Sequence, residues 1–317
     1  MKRKSISYAK WGYIFLIPFF VVYVIFSLVP LVQTFYYSFI DYTVSQGQAQ
    51  SVRQATDVAS NVIDNGFCGL ANYKEVIVGD TPIFLSSLKN TMILWIIGFI
   101  PQIAVSLLLA VWFTDIRLKL KATGFFKTVI YLPNVIMASA FSLLFYNIFT
   151  RSGPFDSLFN MQILETASGS RVVVGLINFI MWYGNTTILL MASIMVIDTS
   201  LYESAQIDGA NPTQTFWSIT IPLIKPIFAY VVVTSMIGGL QMYDVPYLVG
   251  GTGGGPKTVL LTLVFQIQKG KNSNVSLVAA LSVLIFIVSA ILGFITLKIM
   301  KDDSVKTRYG KKKKKKA

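Results

Sequence analysis

Six long stretches of this chain carry no charged residue. They cover residues 11–40, 90–114, 128–150, 172–197, 226–243 and 272–297, or 30, 25, 23, 26, 18 and 26 residues in turn. A helix needs about 20 mainly apolar residues to cross a bilayer. Strands of a soluble core run to roughly 4–8 residues. The stretches therefore predict an all-α integral membrane protein with six transmembrane helices. Composition agrees, because only 13% of the 317 residues are charged and 54% are hydrophobic, against about 25% charged in an ordinary soluble domain. The fifth stretch is the shortest and has room to extend towards its N-terminal side. Aromatic residues suited to the membrane interface stand near several ends, among them Trp11, Tyr13, Tyr36, Tyr37, Trp95, Tyr131 and Tyr243.

Lysine and arginine set the orientation. The N-terminus, the second and fourth loops and the C-terminal tail hold 19 of them, and the other three loops hold 8. Without the run Lys311 to Lys316 the counts are 13 and 8. Basic residues concentrate on the cytoplasmic side, so both termini and the loop at 198–225 are predicted cytoplasmic. Residues 1–10 form the cytoplasmic N-terminus, 11–300 a six-helix membrane domain, and 301–317 a basic cytoplasmic tail. The net charge of +13 is concentrated in that tail; anionic lipid headgroups or water are its expected surroundings, not nucleic acid. The first stretch follows Lys2, Arg3, Lys4 and Lys10 but is too long for a signal-peptide core and has no small-residue cleavage site after it, so it reads as a retained anchor. The external loop at 41–87 is long. Its middle, residues 45–60, is rich in Gln, Ser and Ala with no helical or strand period, and reads as an insertion.

Several chemistries are excluded by residue type. There is no histidine, which removes His-based acid–base work, Ser-His-Asp triads and His-ligated metals. The single cysteine, Cys68, can form neither an internal disulfide nor a cysteine cluster. The segment Gly251 to Thr258 resembles a phosphate-binding loop, but Pro256 stands where that motif needs its second glycine, and proline has no N–H to offer a phosphate.

The most informative segment runs from residue 200 to 222. Ser200 with Glu203 has the spacing of a capping box and predicts a helix start. Gly209 is placed to end that helix in a left-handed conformation. Asn211 followed by Pro212 predicts a second helix start. Pro222 and Pro226 are expected to mark a bend into the fifth span. Two short helices around a sharp corner exceed what a connector of about 2–8 residues requires. The segment is also almost free of positive charge, which suits docking to a soluble partner.

In register along this segment stand Glu203, Ser204, Ala205, Gly209, Ile219, Ile221 and Pro222, joined by Asp208, Ala210, Phe216 and Pro226. The pattern resembles the coupling loop of permease subunits in binding-protein-dependent ABC importers, in the form found in the carbohydrate branch. Ser204 and Ile221 are mild departures from the Ala and Leu of that pattern. Gly69-Leu-Ala-Asn-Tyr73 with Phe84, Ser87-Leu-Lys-Asn-Thr91, Tyr131-Leu-Pro133 and Gly253-Gly-Gly-Pro256 resemble further segments of maltose- and glycerol-phosphate-type permeases. The resemblance implies a non-catalytic transport subunit of the bacterial cytoplasmic membrane. Its partners would be a second homologous permease, ATPase subunits and an extracytoplasmic sugar-binding protein. The chain itself would bind no cofactor, with ATP and Mg held in the partner ATPase.

Polar groups inside membrane helices are candidate pathway residues. Asn178, Trp182, Asn185 and Thr186 fall on one face at helical spacing, and Ser235, Gln241, Tyr243 and Asp244 follow one another along the fifth span. Amides and aromatic rings supply what a sugar needs. The same groups also serve as glue between helices, and both readings stay open at this stage. Asn178 and Ser235 stand in places that resemble sugar-contact positions of maltose-type permeases. An ion-coupled secondary transporter is the alternative, although such proteins usually carry ionisable residues within their spans. The charge asymmetry makes a first expectation. A membrane-impermeant thiol reagent applied to intact wall-free cells should reach Cys68 and should not reach Ser204→Cys. Labelling of both from outside would reverse or discard the orientation.

Overall fold

The computed structural model describes residues 9–44, 62–79, 83–115, 121–251, 255–270 and 274–314. The insertion at 45–60, Lys2, Arg3, Lys4, Gly253, Gly254, Lys315 and Lys316 lie outside the described residues. Among the described residues, five helices are long and apolar enough to cross a membrane: Tyr13–Ser38, Ile83–Thr114, Ala167–Met195, Pro212–Leu240 and Val275–Lys298. A sixth crossing is available if one bent pair counts as a span. That pair is Thr123–Val135 with Ala138–Phe159, whose arms meet at 88°.

The bent pair corrects the expectation of one unbroken helix over 128–150. Ile136 and Met137 both take extended backbone, with ψ of 135°, so the helical ladder stops after Val135. Asn134 Nδ2 donates to the carbonyl of Met181 at 3.2 Å, anchoring the broken end to the fourth span. Beyond the corner, Phe141, Phe145, Phe149, Phe155 and Phe159 form a run of ring contacts at 4.7–6.1 Å.

The chain forms two compact units, one from residues 1–84 and 267–286, the other from 85–266 and 287–317. In the first unit the end of the first span runs into an antiparallel ribbon, Ile40–Val44 against Val62–Phe67. The strands flank the insertion that the sequence pattern left without structure. Asn72, on the short helix Ala71–Val78, holds this junction. Its Nδ2 donates to the carbonyls of Ser38 at 3.0 Å and Ile40 at 2.9 Å, while Tyr73 Oη donates to Ser38 Oγ at 2.7 Å. The Asn72-Tyr73 pair of the sequence motif therefore ties the outgoing chain back to the first span. Cys68 is half-buried beside it and donates to the Phe39 carbonyl at 3.4 Å.

The second unit is organised by Ala167–Met195. The Thr166 hydroxyl caps this helix by accepting from the Gly169 amide at 3.1 Å. Its buried face supplies Val173, Val174, Ile177 and Met181 to one apolar cluster and Leu190, Met191 and Ile194 to another. Small residues let its neighbours approach closely. A Cβ on Gly98 would stand 3.2 Å from the Gly175 carbonyl oxygen, and one on Gly184 would collide with the Ile130 carbonyl. Close approach of backbones at small residues is how membrane helices gain packing in the absence of a hydrophobic drive between them.

The fifth span begins earlier than its charge-free stretch, since Pro212–Leu240 is one continuous helical span that passes through Pro222 and Pro226. A π-turn at Phe216–Thr220 precedes Pro222, with the Ile221 amide donating to the Phe216 carbonyl five residues back. A proline in an α-helix lacks one donor and presses on the carbonyl four residues earlier. Here that carbonyl, on Ser218, falls inside the widened turn. The first span uses the same device, with a π-turn at Val24–Leu28 just before Pro30.

Candidate functional site

Two features of the second unit bring the candidate residues together: the corner at 198–222 and a cavity between the spans. The corner's first helix is Thr199–Ile207. Its N-cap is Asp198, whose carboxylate accepts from the Ser200 amide at 3.0 Å. The expected Ser200–Glu203 capping box is therefore corrected. A carboxylate two residues earlier already occupies the free amide, and negative charge is favoured at a helix N-terminus. The Ser200 amide, and after it the Ser200 hydroxyl, hold the Asp198 carboxyl below its ordinary value. Glu203, Ser204, Asp208 and Gly209 are exposed, while Ala205 is buried. The Glu203 side chain has no hydrogen bond or ion pair among the described residues.

The helix ends in a paired hydrogen-bond motif. The Ala210 amide donates to the Ala205 carbonyl at 2.9 Å and the Gly209 amide to the Gln206 carbonyl at 3.0 Å. This 6→1 and 5→2 pair needs a left-handed residue between its arms, and Gly209 supplies it with φ of +79°. A Cβ at Gly209 would meet open space, so backbone strain alone opposes substitution there. The second arm then starts immediately. Gln214 donates its amide to Asn211 Oδ1 at 2.8 Å, and the Asn211 amide donates to Gln214 Oε1 at 2.9 Å, a complete capping box with Pro212 at the first position. Tyr202 Oη and Thr220 Oγ1 lie 3.1 Å apart and tie the two arms together. Phe216 and Ile219 are half-buried on the second arm, and Pro222 is exposed.

The cavity has a volume of about 570 Å³. Its walls come from the second, fourth and fifth spans, from Ala138 of the bent pair and from the residues after Leu240. Asn178, Trp182, Asn185, Ser235, Gln241 and Tyr243 all line it. The structure thus gathers every candidate that sequence spacing placed on the fourth and fifth spans. It also divides them. Asn178 Nδ2 already donates to the Val174 carbonyl at 2.9 Å, and Ser235 Oγ accepts from Trp95 Nε1 at 3.1 Å. Asn185 and Gln241 are exposed, and their side chains have no hydrogen bond among the described residues. Thr186 is buried and accepts from Gln102 Nε2 at 2.8 Å.

Sequence reading missed several lining residues. By type alone Trp95 reads only as an aromatic near a span end. It lies well inside Ile83–Thr114, stacks on Phe99 at 4.9 Å and faces Gly239, where a Cβ would come 2.6 Å from its ring. Trp95, Gly98 and Gln102 recur at steps of three and four, a helical face that was available to the same spacing argument. Tyr230 and Thr234 share that property on the fifth span.

Residues 123–301 match the family of binding-protein-dependent transport system inner membrane components. The chain belongs to this family. The permease is 30% identical over 240 residues to the lactose transport system permease protein LacF of Rhizobium radiobacter, covering 72% of this chain and 79% of that one. It is 26% identical over 313 residues to the multiple sugar-binding transport system permease protein MsmF of Streptococcus mutans, covering 96% and 100%. Among solved structures, it matches a chain of a bacterial ABC transporter involved in the import of the acidic polysaccharide alginate. The TM-score is 0.68 at 18% identity, covering 92% of this chain and 95% of that one, and it supports the fold. Family membership makes the permease a multi-pass transport component and removes the ion-coupled alternative.

The tie between Tyr202 and Thr220 generates an expectation. Tyr202→Phe removes one part-buried hydrogen bond, worth about 1 kcal/mol. Amides of residues 199–207 should exchange with solvent severalfold faster than in the parent, measured on the intact complex. Unchanged exchange would mean that the two caps hold the corner without help.

Proposed function

We propose that this permease forms half of the translocation pathway of an ATP-driven oligosaccharide importer in the bacterial cytoplasmic membrane, with both termini cytoplasmic. A second, homologous permease completes the pathway. A sugar-binding protein delivers cargo from outside, and ATPase subunits, holding ATP and Mg, receive the corner at 198–222 from inside. The names of the relatives, which refer to lactose and to multiple sugars, support a carbohydrate cargo. The cavity agrees in kind. Sugars present hydroxyls around apolar ring faces, and this pocket combines Asn185 and Gln241 with Trp182, Trp95 and Tyr243.

One observation carries the coupling mechanism. The second arm of the corner, starting at Pro212, is the beginning of the same helix that carries Tyr230, Thr234, Ser235 and Gly239 to the cavity wall. A displacement applied to the corner is therefore transmitted along one rod. Closure of the ATPases would bring the docked corners together, tilt the attached spans and exchange access to the cavity between the two sides. Glu203, Ser204, Asp208 and Gly209 offer an exposed surface for that docking, and the uncommitted Glu203 carboxylate suits a basic residue on the ATPase. Ala205 is buried and Ala210, Phe216 and Ile219 are half-buried, so they are less available to a partner.

Three experiments follow. In Gly209→Val, a β-branched residue is forced into the left-handed region at a cost of about 1–2 kcal/mol. We expect weaker ATPase association or association without coupled import. With the capping-box role removed, Glu203→Gln tests charge alone, and we expect loss of sugar-stimulated ATP hydrolysis in an assembled complex. Normal pull-down and normal import in Gly209→Val would disprove the coupling role. For the pathway, Asn185→Ala and Gln241→Ala should each raise the sugar concentration for half-maximal uptake about fivefold, the worth of about 1 kcal/mol of hydrogen bonding. Uptake at parental affinity in both would leave these amides outside the pathway.

A further inference from the structure

Among the described residues that line the cavity, Asp244 is the one charged side chain. It is exposed, and it occupies the first position of the helix Asp244–Gly250 without forming a side-chain cap there. No hydrogen bond or ion pair engages its carboxylate among the described residues. Beside it Tyr243 stacks on Tyr247 at 5.2 Å, and Trp182, which lines the same cavity, is 47% exposed. The surroundings are amides, hydroxyls, aromatic rings and aliphatic groups. The positive end of a short helix offsets part of a carboxylate's field at most, since a full macrodipole amounts to about half an elementary charge. A net negative field therefore reaches the space a cargo would occupy.

We propose that Asp244 sets the charge class of the cargo. The cavity accepts neutral, polyhydroxylated sugars and disfavours sugars that carry carboxylate, phosphate or sulfate groups. This inference rests on the sugar-importer reading and specifies its substrate. A carboxylate has two oxygens and about four lone-pair sites, so it can accept from adjacent hydroxyls of one sugar ring. Bonds to an ionised acceptor are shorter and about twice as strong as neutral ones. The same carboxylate repels an anionic group a few ångströms away. At an effective dielectric of about 20 that repulsion changes binding by tenfold or more.

The field can be read without knowing the sugar. Gly238 and Thr234 line the cavity and are exposed, and a Cβ at Gly238 meets open space. In the assembled importer carrying Cys68→Ser, Gly238→Cys and separately Thr234→Cys are reacted with a cationic and an anionic methanethiosulfonate reagent of similar size. The rate ratio is normalised to that of a free thiol in solution. We expect a normalised preference for the cation of several-fold, collapsing towards one when Asp244→Asn is added. Lactose should protect the thiol better than lactobionate, its carboxylate counterpart, and Asp244→Asn should narrow that difference. A ratio at or below one at both positions, or a ratio indifferent to Asp244→Asn, overturns the proposal while leaving the sugar reading intact. ATP-driven uptake of lactose, raffinose and maltotriose is measured in parallel. If none is taken up, the sugar reading falls and takes this proposal with it, whatever the thiol rates show.

Discussion

The permease depends on a corner that ends one helix and starts the next within three residues while leaving its donors paired. At Gly209 the chain passes through the left-handed region, and the amides of Gly209 and Ala210 return to carbonyls of the helix they have just left. At Asn211 the next helix begins with its own amides paired to side chains. Nothing in this corner requires a partner to hold its shape. A docking element that is already folded loses little entropy on association, and it can pass on a displacement without deforming.

The cavity shows a second economy. Its polar groups fall into two sets, those that hold helices to one another and those that remain open. Gln102 with Thr186 and Trp95 with Ser235 join spans, and a polar group inside a membrane protein costs least when it finds such a partner. Asn185, Gln241 and Asp244 are among those that remain open. Where each donor and acceptor goes thus distinguishes residues that spacing alone leaves even.

Much of this was legible beforehand. Charge-free intervals located the spans, since few charges are tolerated at membrane depth, and the corner was readable because Gly209, Asn211 and Pro212 each have a narrow conformational meaning. What escaped reading has physical reasons. The break at Ile136 and Met137 is a change of direction, and composition records hydropathy but not direction. Asp198 starts the helix ahead of Ser200 because its carboxylate takes the Ser200 amide that Glu203 would have needed, and only geometry decides between the two acids. The widening of the turn ahead of Pro222 is a hydrogen-bond pattern that no single residue type announces. The ribbon at Ile40–Val44 and Val62–Phe67 pairs strands across an insertion, a long-range contact with no local period. Trp95 reads by its type as an aromatic near a span end, and type alone does not show that its ring fits the space that Gly239 leaves open.

The widened turn at Phe216–Thr220 has a consequence for rotational phase. Successive residues of an α-helix advance by roughly 100° around the axis, so accommodating one additional residue turns everything beyond it by about that angle. The surface shown at the corner and the surface shown at the cavity therefore lie on one axis but keep independent azimuths. Translation along the rod is shared, while the facing of each end is set locally. Sequence change at the cytoplasmic end can then track an ATPase without re-aiming Ser235 or Thr234. Gain or loss of a single residue within the turn would rotate one recognition surface past the other without altering the composition of either.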